Sequence, residues 1–205
     1  MDLIDKTILS AIFAGMLTKT DAVEIVKKKN FLADDYIDSR IKNLVNNGLV
    51  EQDKRTLTDI GRTSLRVVLA GGVFDIIHPG HIYTLNSAKL LGDTLVVVVA
   101  TDKTAEKMKK RTPLHNQDQR KKLVDSLSMV DFCLIGEEGD IFKTVEKVKP
   151  EIIALGYDQV HQEKFITDGC RKLNLNVKVA RLQSPNPEIS SSKIEKKYGE
   201  NIHDL

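Results

Sequence analysis

Apolar strand-like runs and helical stretches alternate from Arg66 onward, and this alternation constrains the fold more than any other feature of the chain. Runs rich in Val, Ile and Leu predict strands near residues 67–71, 94–100, 131–136, 151–156 and 176–182. Helices are predicted near residues 79–91, 103–109, 116–129, 139–148, 161–173 and 190–198. Strands separated by helices indicate an α/β fold with a doubly wound parallel sheet. Ligands of such sheets lie beyond the carboxyl ends of the strands.

Residues 1–65 carry a different pattern, which predicts a small helical domain. Apolar residues recur at helical spacing in three stretches, and Asn47 with Gly48 suits the end of the third helix. A short two-stranded wing is predicted over residues 49–58, before a last helical turn. Three helices and a β-wing resemble a winged helix-turn-helix domain. We therefore expect two domains, residues 1–65 and residues 66–205.

The charge of the helical domain argues against nucleic acid as a partner. Residues 1–65 contain ten Lys and Arg and ten Asp and Glu, so their charges cancel. The predicted recognition helix opens with Asp34, Asp35 and Asp38, which would repel a duplex, although Lys54 and Arg55 at the wing tip could touch a phosphate. Packing, dimerisation or regulation is the preferred role of this domain.

The composition of the whole chain is that of a cytoplasmic globular protein. Its 205 residues carry a formal net charge of +2, too small to imply nucleic acid or an acidic membrane. The longest apolar run, residues 95–100, is far shorter than the ~18 residues of a membrane helix. Cys133 and Cys170 show no CxxC spacing, so buried and reduced thiols are expected.

A strand, a glycine turn and a helix start follow one another within residues 66–81 and predict an anion site. Gly71 and Gly72 allow the backbone to turn sharply, and Pro79 suits the first turn of a helix. A helix N-terminus presents N–H groups and a positive dipole end, to which His78 and His81 would add side-chain donors. Taken alone, the histidine pair could also be a helix cap plus a surface residue.

Two further segments are candidates for phosphate binding. Ser190, Ser191 and Ser192 open the predicted terminal helix and stand beside a lysine, although a serine run can also be an ordinary helix cap. Residues 109–113 form a basic run, with Arg120 opening the next helix. By itself such a run is usually solvated surface.

Three motifs in this order, GVFDIIHPGH, RTPLHNQDQR and ISSSKI, make the chain resemble the nucleotidyltransferase superfamily of the cytidylyltransferase type. The resemblance covers about residues 66–198. It implies a Rossmann-like sheet and the transfer of a nucleoside monophosphate from a nucleoside triphosphate to a phosphate-bearing acceptor, with release of pyrophosphate.

The resemblance also implies roles for individual residues. His78 and His81 would hold the triphosphate and stabilise charge at the α-phosphorus. The three serines would hold the β- and γ-phosphates, and Lys110 or Arg111 would neutralise the transition state. The remaining residues expected at the nucleotide are Gly72, Val73, Phe74, Pro79, Gly80 and Asp158.

The chemistry of such a transfer needs neither a catalytic base nor a protein metal cage. The acceptor phosphate has a second pKa of about 6 and is therefore already a nucleophilic anion at neutral pH. Catalysis then consists of positioning and charge stabilisation. Mg²⁺ would be carried with the triphosphate and its waters, so no metal ligands are expected in the protein.

Residues 150–159, together with residues 111–113, are most similar to FAD synthases of the archaeal type, which use ATP and FMN; Asp158 would then contact the ribose or the base. Glycerol-3-phosphate cytidylyltransferases are an alternative, but they usually carry an RTEG-type stretch where this chain has residues 184–188. Heptose-phosphate adenylyltransferases are another, with a Lys-Gly-Gly-Asp turn where this chain has residues 155–158. A non-enzymatic alternative is a transcriptional regulator that senses a nucleotide. The resemblance also allows a homodimer.

Overall fold

The computed structural model describes residues 1–29, 32–183 and 193–194. Within these ranges no helix combines the length and the hydropathy that crossing a membrane requires. Both cysteines, Cys133 and Cys170, are free and buried, as expected, and burial raises the pKa of the Cys170 thiol.

The first part of the chain is helical and contains one antiparallel bridge. Its helices are α1 (Leu3–Thr18), α2 (Ala22–Lys29), α3 (Asp34–Asn46) and α4 (Asp59–Thr63), and the bridge joins Val50 to Leu57 between α3 and α4. The order of elements is the one expected from the sequence. The assignment of these elements to the winged-helix class stays a prediction, as does the domain boundary at residue 65.

Side-chain caps explain where α1 and α4 begin. The carboxylate of Asp2 accepts the N–H of Asp5 at 2.9 Å, and the hydroxyl of Thr58 accepts the N–H of Gly61 at 3.0 Å. Each cap satisfies a backbone donor that has no partner inside the helix. Gly48 follows α3 in the left-handed region with φ +69°, a conformation that glycine adopts without strain.

The second part of the chain builds a five-stranded sheet, and all its strand pairs are parallel. The strands are β1 (Val67–Gly72), β2 (Thr94–Val99), β3 (Phe132–Ile135), β4 (Ile152–Leu155) and β5 (Lys178–Arg181), in the spatial order β3-β2-β1-β4-β5. The connecting helices are α5 (Pro79–Lys89), α6 (Asp102–Lys109), α7 (Gln117–Asp125), α8 (Ile141–Val148) and α9 (Val160–Lys172). The doubly wound parallel sheet predicted from the sequence is therefore confirmed.

Two of the predicted helices are observed only over part of their expected range. The helix expected over residues 116–129 ends at Asp125, earlier than predicted, and the carboxylate of Asp125 accepts the N–H of Cys133 in β3 at 3.1 Å. Of the helix expected over residues 190–198, only Lys193 and Ile194 are described, and both are helical. The rest of that prediction lies outside the described residues.

The hydrophobic core has one layer on each face of the sheet. Helices α5 and α7 cover one face, where their buried residues Leu85 and Val124 pack with β1 and β2. Helices α8 and α9 cover the other face, and α1 belongs to the same layer. The Phe13 ring of α1 meets the Phe132 ring of β3 edge-on, with centroids 5.9 Å apart. The core is thus continuous across residue 65.

Carboxylates secure the amino edge of the sheet to the helical part of the chain. Asp93 accepts the N–H of Arg66 at 2.9 Å and pairs with Lys6 of α1 at 2.5 Å. Glu151 accepts the first N–H of β1 at 2.7 Å and pairs with Arg62 of α4 at 3.0 Å. Each carboxylate therefore contacts both the start of β1 and a cation from residues 1–65.

We predict that Phe13→Ala destabilises the whole protein, since Phe13 is only 4% exposed and packs against the sheet. Loss of a buried phenylalanine costs about 3–5 kcal/mol of unfolding free energy. The matched control is Leu3→Ala on the same helix, where the side chain is 80% exposed and about 0.5 kcal/mol or less is expected. Urea unfolding of both variants measures the difference. Equal small losses would contradict a shared core.

Candidate active site

The turn that follows β1 carries the first motif into the start of α5. Pro79 occupies the first turn of the helix, and His78 is its N-terminal flanking residue in extended conformation. Phe74 lies in the left-handed region with φ 54°, where a side chain is uncommon. A Cβ on Gly72, the last residue of β1, would come within 2.9 Å of the Phe74 ring, so a larger residue there would require the ring to shift.

His78 and His81 form a stacked pair at the start of α5. Their ring centroids are 3.9 Å apart, and the backbone N–H of His81 donates to the carbonyl of His78 at 2.9 Å. The Phe74 ring lies 5.2 Å from the ring of His81. Both Nδ1 atoms are buried and have no hydrogen-bond partner among the described residues. Buried polar nitrogens normally have a partner, so these two atoms make the turn a candidate ligand site.

Both histidines are held in the neutral state at neutral pH. Burial lowers the pKa of His81 to about 4, and the positive charges of His78 and Lys109 act in the same direction. Burial also lowers the pKa of His78, with a second contribution from the charge of Lys109. An arriving phosphate would oppose these effects, because a nearby anion favours the protonated imidazole. The pair can therefore donate hydrogen bonds to an anion without carrying a charge beforehand.

The other residues predicted in this turn contribute through the backbone or through packing. Val73 and Phe74 are 7% and 6% exposed, so their side chains belong to the core. The carbonyl of Val73 accepts a hydrogen bond from the buried Arg120. Pro79 is exposed and Gly80 half-buried at the open end of α5, where the free backbone N–H groups of a helix start lie.

Asp75 connects this turn to the loop between α6 and α7, here called the basic loop. Its carboxylate accepts the N–H of Leu114 at 2.8 Å and lies 2.9 Å from Nη1 of Arg111, so the loop and the turn are in direct contact. Arg111, a predicted triphosphate ligand, is therefore brought to the turn that carries the histidines. Asp75 was not identified from the sequence. A charged residue between the apolar pairs Val73–Phe74 and Ile76–Ile77 was the available signal.

Arg120 is a structural residue, not a member of a solvated basic run. Its side chain is fully buried, which corrects the expectation that this basic element is usually surface. The guanidinium donates to the carbonyl of Val73 at 2.7 Å, to the carbonyl of His115 at 2.9 Å and to Oδ1 of Asp102 at 2.8 Å. These three acceptors belong to three different turns, so one buried cation holds the turns after β1 and β2 together with the basic loop.

The structure distinguishes the two adjacent lysines of the basic loop. Lys110 is exposed and ends α6 in the left-handed region with φ 57°. Lys109 is half-buried, and it is the lysine whose charge acts on both histidines. The catalytic role expected for Lys110 stays a prediction, and Lys109 is a second candidate that the sequence alone does not distinguish from it.

The turn after β4 lies at the same edge of the sheet. Because Ala70 of β1 pairs in parallel with Ala154 of β4, both strands end there. The N–H of Gly156 donates to the side chain of Gln159 at 2.7 Å, and Asp158 is exposed in this turn. Asp158 is therefore available to a ligand. The predicted serine cluster, Ser190, Ser191 and Ser192, lies outside the described residues.

Two open clefts lie elsewhere on the molecule. One, of about 640 Å³, is at the amino edge of the sheet beside Asp93 and Glu151. The other, of about 850 Å³, lies among α1, α2, α3 and residues 53–56. Neither contains the histidine pair. We propose that the active site lies at the histidines, because neither Nδ1 atom has a hydrogen-bond partner among the described residues and Arg111 is held against the same turn at the carboxyl edge.

A family model and two similar proteins each match more than half of this chain. Residues 69–197 match the family model described as cytidylyltransferase-like. An FAD synthase of Picrophilus torridus is 50% identical over 125 residues, which cover 61% of this chain and 89% of that protein. An FAD synthase of Aciduliprofundum boonei is 53% identical over 116 residues, 57% of this chain and 77% of that protein.

A solved structure gives the same result for the fold. The lipopolysaccharide core biosynthesis protein of Thermoplasma volcanium is 45% identical and superimposes with a TM-score of 0.56. The superposition covers 58% of this chain and 98% of that protein. The family model begins at residue 69, so the helical part of the chain is not included in its match.

We predict that His81 makes the protein less stable in mild acid. Its pKa in the folded state, about 4, is below the ordinary value of 6.5. Between these two pH values the unfolded chain takes up a proton at this residue while the folded chain does not, so stability falls as the pH falls. The melting temperature of His81→Asn should fall less steeply than that of the wild type between about pH 7 and pH 5. Parallel slopes would contradict a buried neutral imidazole.

Proposed function

The chain belongs to the cytidylyltransferase-like family and, within it, to the FAD synthases, and from this membership we infer that it transfers AMP from ATP to the phosphate of FMN. The products are FAD and pyrophosphate. The bond that forms joins a phosphate oxygen of FMN to the α-phosphorus of ATP, and the bond that breaks joins that phosphorus to the β-phosphate. The observation that carries the proposal for the site is the pair of buried Nδ1 atoms of His78 and His81, which have no hydrogen-bond partner in the described part of the chain.

The histidine pair is suited to hold the triphosphate. A neutral imidazole can donate one hydrogen bond, and the start of α5 adds backbone N–H groups and the positive end of the helix dipole. Negative charge develops on the oxygens around the α-phosphorus as the bond to pyrophosphate lengthens. Donors that are already oriented stabilise this charge without reorganisation, which is the usual source of catalysis in phosphoryl transfer.

We propose Lys109 and Arg111 as the cations that neutralise the triphosphate. Lys109 acts electrostatically on both histidines, and Arg111 is held against the same turn by Asp75. A further role for Ser190, Ser191 and Ser192 at the β- and γ-phosphates stays a prediction. We also propose that Asp158, exposed in the turn after β4, contacts the ribose or the base.

Mg²⁺ is proposed to enter as part of the ATP substrate. Within the described part of the chain no three His, Cys, Asp or Glu residues are grouped so that they could hold a metal ion. The carboxylate of Asp75 in this turn already contacts Arg111 and the loop, and the other groups described there are imidazoles and cations, whereas Mg²⁺ prefers oxygen ligands. Phosphate oxygens and water can supply these. The two free, buried cysteines fit a cytoplasmic location, and a homodimer stays a prediction.

An acceptor assay tests the function directly. The full chain is incubated with MgATP or MgCTP and, separately, with FMN, glycerol 3-phosphate or a sugar 1-phosphate, and pyrophosphate and FAD are measured. We expect pyrophosphate only with ATP and FMN, in equal amounts with FAD. His81→Ala should reduce the turnover by about 100-fold or more, as the loss of one transition-state donor does. Pyrophosphate formed only with CTP, or only with another acceptor, would contradict the assignment.

The sugar phosphate belongs in this assay for a specific reason. The similar protein of known structure from Thermoplasma volcanium is described as a lipopolysaccharide core biosynthesis protein. Activity with a sugar phosphate and ATP, but not with FMN, would therefore favour the alternative acceptor class while retaining the same transfer chemistry.

Two neighbouring variants test which lysine serves the reaction. Lys109→Ala should reduce kcat by about tenfold or more, because it removes the lysine whose charge acts on both histidines. Lys110→Ala changes the same charge at an exposed position and should retain most of the activity. Steady-state kinetics with ATP and FMN measure both. The reverse order of effects would restore Lys110, the residue that the sequence singled out.

A further inference from the structure

We propose that Asp75 is a positioning residue of the transfer reaction: its buried carboxylate shapes the loop of residues 111–115 and directs the Arg111 guanidinium toward the bound triphosphate. The inference rests on the proposed function. It goes beyond that function by assigning a role to a residue that does not itself contact the substrate and acts only through Arg111.

Asp75 is buried, so its charged carboxylate must be compensated by neighbouring groups. Only 1% of the residue is exposed, and its neighbours Val73 and Phe74 are also buried. Removing a carboxylate from water is costly unless the group is paired and hydrogen-bonded. An apolar residue here would avoid that cost, so the contacts made by the carboxylate are the feature to explain.

The two carboxylate oxygens have different partners. Oδ1 accepts the backbone N–H of Leu114 at 2.8 Å and that of His115 at 3.3 Å. Oδ2 lies 2.9 Å from Nη1 of Arg111. The main-chain carbonyl of Asp75 adds a contact to Nδ1 of His115 at 3.2 Å. Oδ1 therefore holds the loop backbone by hydrogen bonds, whereas Oδ2 makes no hydrogen bond among the described residues and holds the Arg111 guanidinium by charge attraction.

Nη1 of Arg111 contacts a group of the turn and a group of the loop. Nη1 lies against Asp75 and also donates to the carbonyl of Thr112 at 2.9 Å. These contacts set the plane of the group, while 23% of the side chain stays exposed. A guanidinium whose plane is already set loses less freedom when it binds a phosphate. Orientation, and not charge alone, is the property that Asp75 would supply.

The position of Asp75 in the chain links this loop to the histidines. Asp75 stands three residues before His78 in the same turn. A carboxylate that holds the loop against this turn therefore brings Arg111 to the side of the sheet where His78 and His81 lie. Small displacements of a positioned group reduce reaction rates strongly. We therefore expect the contact between Asp75 and Arg111 to affect the reaction and not only the stability.

A double-mutant cycle tests whether Asp75 acts through Arg111. Asp75→Asn retains an oxygen for the loop N–H groups but removes the charge that holds the guanidinium, and Arg111→Gln removes the guanidinium. We expect each single variant to reduce kcat/KM for ATP by about tenfold or more, and the double variant to be no worse than Arg111→Gln within about twofold. The KM for FMN should change little. Effects that multiply, or a folded Asp75→Asn with wild-type kcat/KM, would overturn the proposal.

A matched control and a second variant separate positioning from folding. Asp118→Asn makes the same chemical change at an exposed position on α7 and should leave kcat/KM within about twofold of the wild type. If Asp75→Asn does not fold, Arg111→Lys replaces it, because lysine retains the charge but lacks the planar guanidinium. An affinity for ATP lowered about tenfold in Arg111→Lys supports the role of orientation. An unchanged affinity overturns it.

Calorimetry with a non-hydrolysable ATP analogue distinguishes this inference from the proposed function. If the wild type binds no nucleoside triphosphate, both are wrong. If the wild type binds the analogue and forms FAD while the two substitutions act independently, only the role of Asp75 is wrong.

Discussion

The parallel pairing of β1 with both of its neighbours is the constraint on which the rest of the structure depends. Gly72 pairs with Val99 of β2, and Ala70 pairs with Ala154 of β4, so the three central strands end at the same edge. The turns that follow them must therefore share that edge, and these turns carry the histidine pair and Asp158. A site assembled from residues far apart in the sequence is a direct consequence of this pairing.

Buried and half-buried charges then hold each edge of the sheet in place. At the carboxyl edge, Asp75 and the fully buried Arg120 join the turn after β1 to the basic loop. At the amino edge, Asp93 accepts the N–H just before β1 and Glu151 accepts the first N–H of β1, and each also pairs with a cation from the helical part of the chain. Buried charges of this kind contribute little net stability, because desolvation offsets the attraction. These charges instead favour one arrangement of the loops, because charged and hydrogen-bonding groups require specific partners and apolar contacts do not. A catalytic site needs such a fixed arrangement.

The helical part of the chain is an addition to the family fold that nevertheless shares its core. The family model begins at residue 69, yet Phe13 of α1 packs against Phe132 of β3, and Arg62 of α4 lies 4.9 Å from the centroid of the Phe13 ring. An addition that buries apolar surface against a sheet face is expected to unfold with that sheet. Its contacts lie on a face and at the amino edge, away from the histidines. The addition can therefore support the catalytic unit without covering the site.

By itself the sequence determined the elements and the family, because both depend on local information. The five strands are apolar runs, the helices have their own periodicity and caps, and the motif with His78 and His81 is contiguous. Only the folded chain reveals the pairing of Asp75 with Arg111, the burial of Arg120, the effect of the Lys109 charge on both histidines, and the packing of α1 against the sheet. Asp75 and Leu114 are 39 positions apart, and Val73 and Arg120 are 47 apart. No local sequence pattern encodes such partners, because the burial of a side chain and the direction in which it points are set only when the strands have paired. The neutral state of the histidines has the same origin, because it results mainly from desolvation inside the folded chain.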